Sequence, residues 1–205
     1  MRDMLLRFEL QQDAGETIAR ILGLHGTLLG GQMAMRPFDL RVDETSRRID
    51  VDLKGIDMAA VVDLAGLEDF ILTGSLSGTL PVEIVGENGV VVRQGKLVAD
   101  GPGALRLDGN VLRGILGQQG EEIDLMIRTL EDFRYDLLEI SLDKPLEGET
   151  TMLVTLGGLN PAVLDGHPFR FNISVSGDAD RLLATILTVY RASSGVIEQG
   201  IKSLQ

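Results

Sequence analysis

The chain has no cysteine and no tryptophan, and only two histidines and two tyrosines. Without cysteine there are no disulfides, no thiolate metal sites and no cysteine nucleophile, and oxidising and reducing compartments fit equally well. No segment reaches the ~18 consecutive apolar residues of a membrane-spanning helix. The N-terminus lacks the charged-then-apolar order of a signal peptide. Basic residues are also scarce: 19 Lys and Arg face 31 Asp and Glu, a net charge of −12. Arg47-Arg48 is the only adjacent basic pair, so the clustered cations that nucleic-acid phosphates require are missing. Anionic headgroups would be repelled by most of such an exterior, so any lipid would be held by its tails.

Catalytic groupings are missing as well. His25 stands beside Gly26, read as a turn, and His167 lies in Gly166-His167-Pro168. Neither has carboxylates at metal-ligand spacing. Ser193-Ser194 has no G-x-S-x-G elbow around it. Gly101-Pro102-Gly103 and Gly157-Gly158 open no helix with a following lysine, as a phosphate loop would. Asp50 and Asp52 share one side of a strand and read as its solvent face. No metal, no cofactor and no enzymatic activity are expected.

What the chain has is alternation. Phe38, Leu40 and Val42 alternate with Asp39, Arg41 and Asp43. Ile49, Val51 and Leu53 alternate with Asp50, Asp52 and Lys54, and Phe169, Phe171, Ile173 and Val175 with Arg170, Asn172 and Ser174. A period of two places each apolar set on one side of a sheet. Hydrophobic content of 44% fits a folded chain, and 25 glycines among 205 residues suit many turns. The length allows one large domain or two small ones; we read a single domain over 1–205.

Along the chain, Met4 to Leu10 reads as a strand. The capping-box spacing of Asp13 and Glu16, with Ile18, Ile21 and Leu22, predicts a short helix ending at Gly23. Strands are expected at about 27–35, 37–44 and 47–54, followed by a helix from Met58 to Leu64, capped by Asp57 and ended at Gly66. Segment 70–84 reads as one long, bending strand, with Pro81 at an edge or bulge. Glu87-Asn88-Gly89 predicts a hairpin into Val90–Ala99, and Pro102-Gly103 a turn before Leu105–Leu107. A helix with Glu121 and Glu122 in its first turn buries Ile123, Met126, Ile127 and Leu130. In the next strand the parity switches after Leu137, which predicts a bulge there. Strands at 149–157 and 168–177 precede an amphipathic helix at about 180–204.

The fold class expected is mainly β (α+β): an elongated, strongly curved antiparallel sheet with few short helices. Its apolar face is either a sealed core or a groove in which lipid lies. If a groove, its wall comprises Phe38, Leu40, Val42, Ile49, Val51, Leu53, Leu72, Leu76, Leu80, Phe169, Phe171 and Ile173. An ordinary closed α+β domain, serving as a binding or assembly module, fits the same pattern.

Leu76-Ser77-Gly78-Thr79-Leu80-Pro81-Val82; Gly89 through Ala99 with Pro102-Gly103 and Leu105-Arg106; Phe133-Arg134-Tyr135 with Leu138; and Leu156-Gly157-Gly158-Leu159-Asn160-Pro161 with Gly166 to Asn172 follow one another along the chain. In that order these segments resemble the AsmA-like superfamily in its YdbH-type C-terminal region. Together they span about Gly30 to Tyr190. The pattern departs at His167, where the resemblance implies arginine. The Asn160-Pro161 and Gly166-His167-Pro168 pieces suit tight reversals rather than lipid contacts.

The resemblance implies a bridge-like lipid-transfer protein of the Gram-negative envelope, with a taco-like folded-over sheet crossing the periplasm between inner and outer membranes. It implies an N-terminal membrane anchor elsewhere, this chain being the C-terminal part, and phospholipid acyl chains as cargo. A small outer-membrane lipoprotein is the implied partner. A scaffold that receives a partner's strand at its sheet edge is the alternative. A small-acid carrier is a distant third, since these residues offer no basic pocket.

Overall fold

The computed structural model describes residues 2–13, 16–41, 46–67, 69–86, 89–116 and 120–177. The alternating segments form one antiparallel sheet of twelve strands. These are β1 (Arg2–Asp13), β2 (Glu16–Leu28), β3 (Gly31–Met35), β4 (Phe38–Arg41), β5 (Ser46–Asp57), β6 (Phe70–Leu72), β7 (Ser75–Val85), β8 (Gly89–Ala99), β9 (Gly103–Leu107), β10 (Phe133–Lys144), β11 (Thr150–Leu159) and β12 (Pro168–Gly177). The described helices are α1 (Met58–Ala65), α2 (Gly109–Leu116) and α3 (Glu121–Leu130). The main path is β1-β2-β3-β5-β7-β8-β10-β11-β12; β4 pairs with β2, and β9 with β10 and β6. The mainly-β expectation holds. The helix expected at 180–204 lies outside the described residues.

Four bulges keep the apolar side chains on one face. Between Arg7–Gly23 and Phe8–Ile21 the register slips at Leu22, so Ala19 and Ile21 are buried on one parity and Leu24 and Leu28 on the other. In β5 the shift between Leu53 and Ile56 falls at Gly55 (φ +64°) and leaves both apolar residues buried. In β8 an extra residue near Gln94 (φ +55°) lets Val92 and Gly95 both face inward, opposite Pro81. The fourth is the bulge expected in β10: the register shifts between Tyr135 and Leu137, burying Phe133, Tyr135, Leu138 and Leu142 together.

These slips explain two misreadings. Of the segment read as a helix, Glu16–Gly23 lies in β2 and Asp13 ends β1; the helix-like spacing of Ile18, Ile21 and Leu22 belongs to a bulged strand. His25 is consequently in a strand, opposite Leu5 and Ala34, and not in a turn. The strand expected at 27–35 is a hairpin. Leu29 (φ +46°) and Gly30 (φ +76°) form its two-residue turn, the primed geometry that matches strand twist. Segment 70–84 breaks at Thr73–Gly74 into β6 and β7, which pair with different strands. Gly109–Leu116 is a helix that the pattern did not announce.

The described helices gather at one end of the sheet. α1 starts as expected, the Asp57 carboxylate accepting from the Ala59 N–H at 2.9 Å, and ends at left-handed Gly66. Met58, Leu112, Ile127 and Leu130 join Ile56, Leu76, Leu105, Phe133 and Tyr135 in one buried cluster. Asn160 does more than turn the chain. Its Oδ1 accepts from the Ala162 N–H (2.9 Å), and its buried amide donates to the carbonyls of Arg128 (2.9 Å) and Thr129 (3.2 Å), in the last turn of α3. It thereby satisfies backbone groups that a helix end leaves open.

The opposite face is polar and cross-linked. Arg36 forks onto Asp52 (2.9 Å) and reaches Asp50 (3.2 Å), Thr79 donates to Asp52 (2.7 Å), and Arg20 meets Asp39 (2.7 Å). Exposed pairs of this kind are worth at most ~1 kcal/mol each, so they fix register more than they stabilise.

Two outcomes are expected. A Cβ on Gly78 would lie 2.0 Å from the Lys96 carbonyl oxygen, whereas one on Gly101 would meet nothing within 4 Å. Gly78→Ala should therefore cost roughly 1–3 kcal/mol in urea unfolding while Gly101→Ala stays within about 0.5 kcal/mol; equal effects would contradict the close approach. Hydrogen bonds from Arg36 and Thr79 hold the Asp52 carboxyl below its ordinary value, and those from Ser75 and Ser77 do the same for Asp100. A lowered folded-state pKa stabilises above the unfolded value of about 4, and that contribution is lost as pH falls through the folded value. Asp52→Asn with Asp100→Asn should flatten the loss of stability below about pH 4; an unchanged acid limb would assign it elsewhere.

Candidate functional site

Directly opposed residues of antiparallel strands share a face, so the pairings trace rows of side chains across the sheet. One row runs Gly26, Met33, Leu53, Gly78, Leu97, Ile140, Val154 and Ile173. It crosses eight strands without a polar side chain. At ~4.8 Å per strand its length is about 34 Å. Beside it on one side run Leu24, Met35, Val51 and Leu80. On the other, Leu138, Leu156 and Phe171 continue the apolar face through β10, β11 and β12.

Of the twelve residues expected to line a groove, ten have described side chains, and these lie on the apolar face. Ile49, Val51, Leu53, Leu76 and Leu80 lie on β5 and β7 and are buried core residues, none more than 8% exposed. Phe38, Leu72, Phe169 and Phe171 are half-buried and pack against the same core, and Ile173 is half-buried in the row above. Leu40 sits in β4 opposite Ala19. Val42 lies outside the described residues.

Sequence reasoning missed much of this buried apolar face. Met33, Met35, Val82, Ile84, Val92, Leu138, Leu142 and Leu156 belong to the same buried cluster. Their signal was present in the alternation of each strand but was interrupted by bulges or glycine.

Burial is graded along the face. From β5 to β7 it is closed. At β11 and β12 Met152, Val154, Phe169, Phe171 and Ile173 are only half-buried, and Val175 is 40% exposed. The aromatic end is ordered by ring contacts: Phe133 meets Phe171 edge-on at 5.6 Å, Phe169 stacks on Phe171 at 6.0 Å, and His167 meets Phe169 edge-on. His167 thus acts as an aromatic neighbour at this end of the sheet.

One cavity, of about 430 Å³, is lined chiefly by polar-face residues, among them Leu5, His25, Thr27, Gln32, Asp52 and Lys54. A second, about 260 Å³, sits where β4 parts from β5, between Arg36, Pro37, Phe38, Arg48, Ile49 and Asp50.

Among the described residues no group of three His, Cys, Asp or Glu side chains could hold a metal ion. Burial pushes the Tyr135 phenol above its ordinary value, and its hydroxyl donates to the Thr73 carbonyl, which pins β10 to the β6–β7 break. No described helix is long and apolar enough to cross a membrane. The arrangement can do one thing well: offer apolar carbon over a long, uninterrupted distance.

No curated protein and no solved structure matches the chain. The family described as YdbH-like, intermembrane phospholipid transport protein YdbH, matches residues 1–201. A chain whose strands set apolar rows across a twelve-stranded sheet, and which that family covers almost end to end, belongs to the YdbH-like family of intermembrane phospholipid transport proteins.

Proposed function

We propose that this chain conveys phospholipid between inner and outer membranes without catalysis, its acyl chains lying against the apolar face of a sheet curved into a groove. The observation that carries this reading is the unbroken row from Gly26 to Ile173. Half of a ~30 Å hydrocarbon core is about 15 Å, the depth that one acyl chain occupies. A row of about 34 Å therefore exceeds a single tail. Each buried methylene contributes ~0.8 kcal/mol, so a tail of about fourteen gains on the order of 11 kcal/mol, with no polar recognition needed.

Lipid enters at β11 and β12, where the face is least covered, and displaces the contacts that close it over β5 and β7. The twelve residues named from the sequence are the groove's wall where the chain is loaded. On this reading the chain is the C-terminal section of a longer periplasmic bridge held in the inner membrane by an N-terminal anchor. It serves outer-membrane lipid homeostasis.

A second reading has one observation in its favour. β12 pairs only with β11 among the described residues, over ten matched positions from Thr150–Gly177 to Leu159–Pro168. Its far edge can receive a partner's strand, and a small outer-membrane lipoprotein is the partner that such an arrangement suits.

Loading separates the readings. The protein purified from cells with a phospholipid envelope should carry phospholipid by mass spectrometry. Ile173→Asp, on the half-buried apolar face, should lose most of that lipid. Leu153→Asp, 47% exposed on the other face, should keep it, with both variants melting within a few degrees of the parent. Absence of lipid from the parent protein, or equal loading of the two variants, would contradict transport along this face and leave strand addition as the better account.

A further inference from the structure

The helix α3 is fastened unevenly. Among the described residues no side chain caps its first turn, and Gly120 before it, at φ +126°, stands where a Cβ would meet nothing within 4 Å. Its last turn is held by a residue from a distant part of the chain. The buried Asn160 amide donates to the carbonyls of Arg128 and Thr129. Burial follows the same gradient: Ile127, Thr129 and Leu130 are at most 3% exposed, while Ile123 and Met126 are half-buried.

The helix lies where such a gradient matters. It packs against β9, and Ile127 and Leu130 share one buried cluster with Phe133, Leu138 and Leu156. It is therefore on the apolar side of β9, β10 and β11, and Asn160 directly follows β11. Beyond lies β12, where Phe169, Phe171 and Ile173 are half-buried; towards β5 and β7 the face is closed. So α3 borders the stretch between the open and the closed parts of the face.

Holding the helix this way needs an amide. The Asn160 Nδ2 supplies two N–H donors to carbonyls among the last four, which a helix leaves without internal partners. Its Oδ1 accepts from the Ala162 N–H and shapes the turn. An aspartate would keep that acceptor, lose both donors, and set a negative charge against the negative end of the helix. Forming the turn and holding the helix are separable at this one position.

Resting on the transport reading above, we propose that α3 is a lid over this stretch of the apolar face and that Asn160 is its catch. Lipid passes from β12 towards β5 when the hold on the last turn is released and the helix swings away. Glu131-Asp132, between α3 and β10, is the hinge, and it is tied to β9 by Arg106 on Asp132 at 2.7 Å. The catch sits beside that hinge, so it sets the angle of the whole ten-residue helix, about 15 Å long.

The experiment follows release of a phosphatidylglycerol with a fluorescent tail from the loaded full chain to acceptor vesicles, alongside amide hydrogen exchange in α3. A lid changes entry and exit alike and leaves affinity where it was, whereas a groove wall changes affinity. Asn160→Asp should speed both release and exchange over Ile123–Leu130 by about tenfold, with equilibrium binding within about twofold of the parent. Asp52→Asn, which loses an ion pair on the opposite face, should match the parent in both rates. Circular dichroism and thermal melts establish that the variants fold. If Asn160→Asp does not fold, Met126→Ser, which weakens only the half-buried side of α3, carries the same expectation. Unchanged exchange in α3, faster exchange with unchanged release, or faster release with a matching loss of affinity would each overturn the lid while transport stands. If the parent holds no phospholipid, transport fails and the lid with it.

Discussion

Opposed residues on antiparallel strands point to the same side of a sheet, and the rest of this structure depends on that pairing. Once Met33 is set against Leu53, Leu53 against Gly78 and Gly78 against Leu97, their side chains are committed to one face. A slip of one residue would exchange apolar and polar faces across the strand. The ion pairs of Arg20 with Asp39 and Arg36 with Asp52 hold the register from outside, and Gly78 holds it from within by admitting no Cβ.

Bulges reconcile that pairing with the chain's length. A strand of twelve residues such as β5 accumulates twist, and an extra residue at Gly55 bends it while returning Ile56 to the apolar side. The same device appears at Leu22, near Gln94 and before Leu137. The result is a face about eight strands wide that stays apolar although several of its strands do not alternate from end to end.

This also decides what could be read from the sequence. Strands with clean alternation, such as 168–177, were legible, as were the Asp57 cap, the Gly66 stop and the parity switch at Leu137. The Asp13–Gly23 segment was not, because Ile18, Ile21 and Leu22, around a bulge at Leu22, imitate the three- and four-residue steps of a helix. The break at Thr73–Gly74 was hidden by Leu72 and Leu76 sharing a parity across it. Of the buried apolar face, Ile49, Val51, Leu53, Leu76 and Leu80 were legible in the alternation, while the methionines of β3 went unnoticed because Met33 and Met35 flank only an alanine. Arg47 was visible as part of a basic pair. That it faces the apolar side followed only from its pairing with Ile84.

The most direct test of the central claim is to map where a lipid tail lies. A phospholipid with a photoreactive group midway along one acyl chain, loaded and cross-linked, should mark residues of the apolar rows by peptide mass spectrometry. Leu53, Leu97, Ile140, Val154 and Ile173 should be labelled, and Leu5 and Leu153 on the other face should not. Labelling confined to Leu5 and Leu153, or none at all above a tail-free control, would contradict the account.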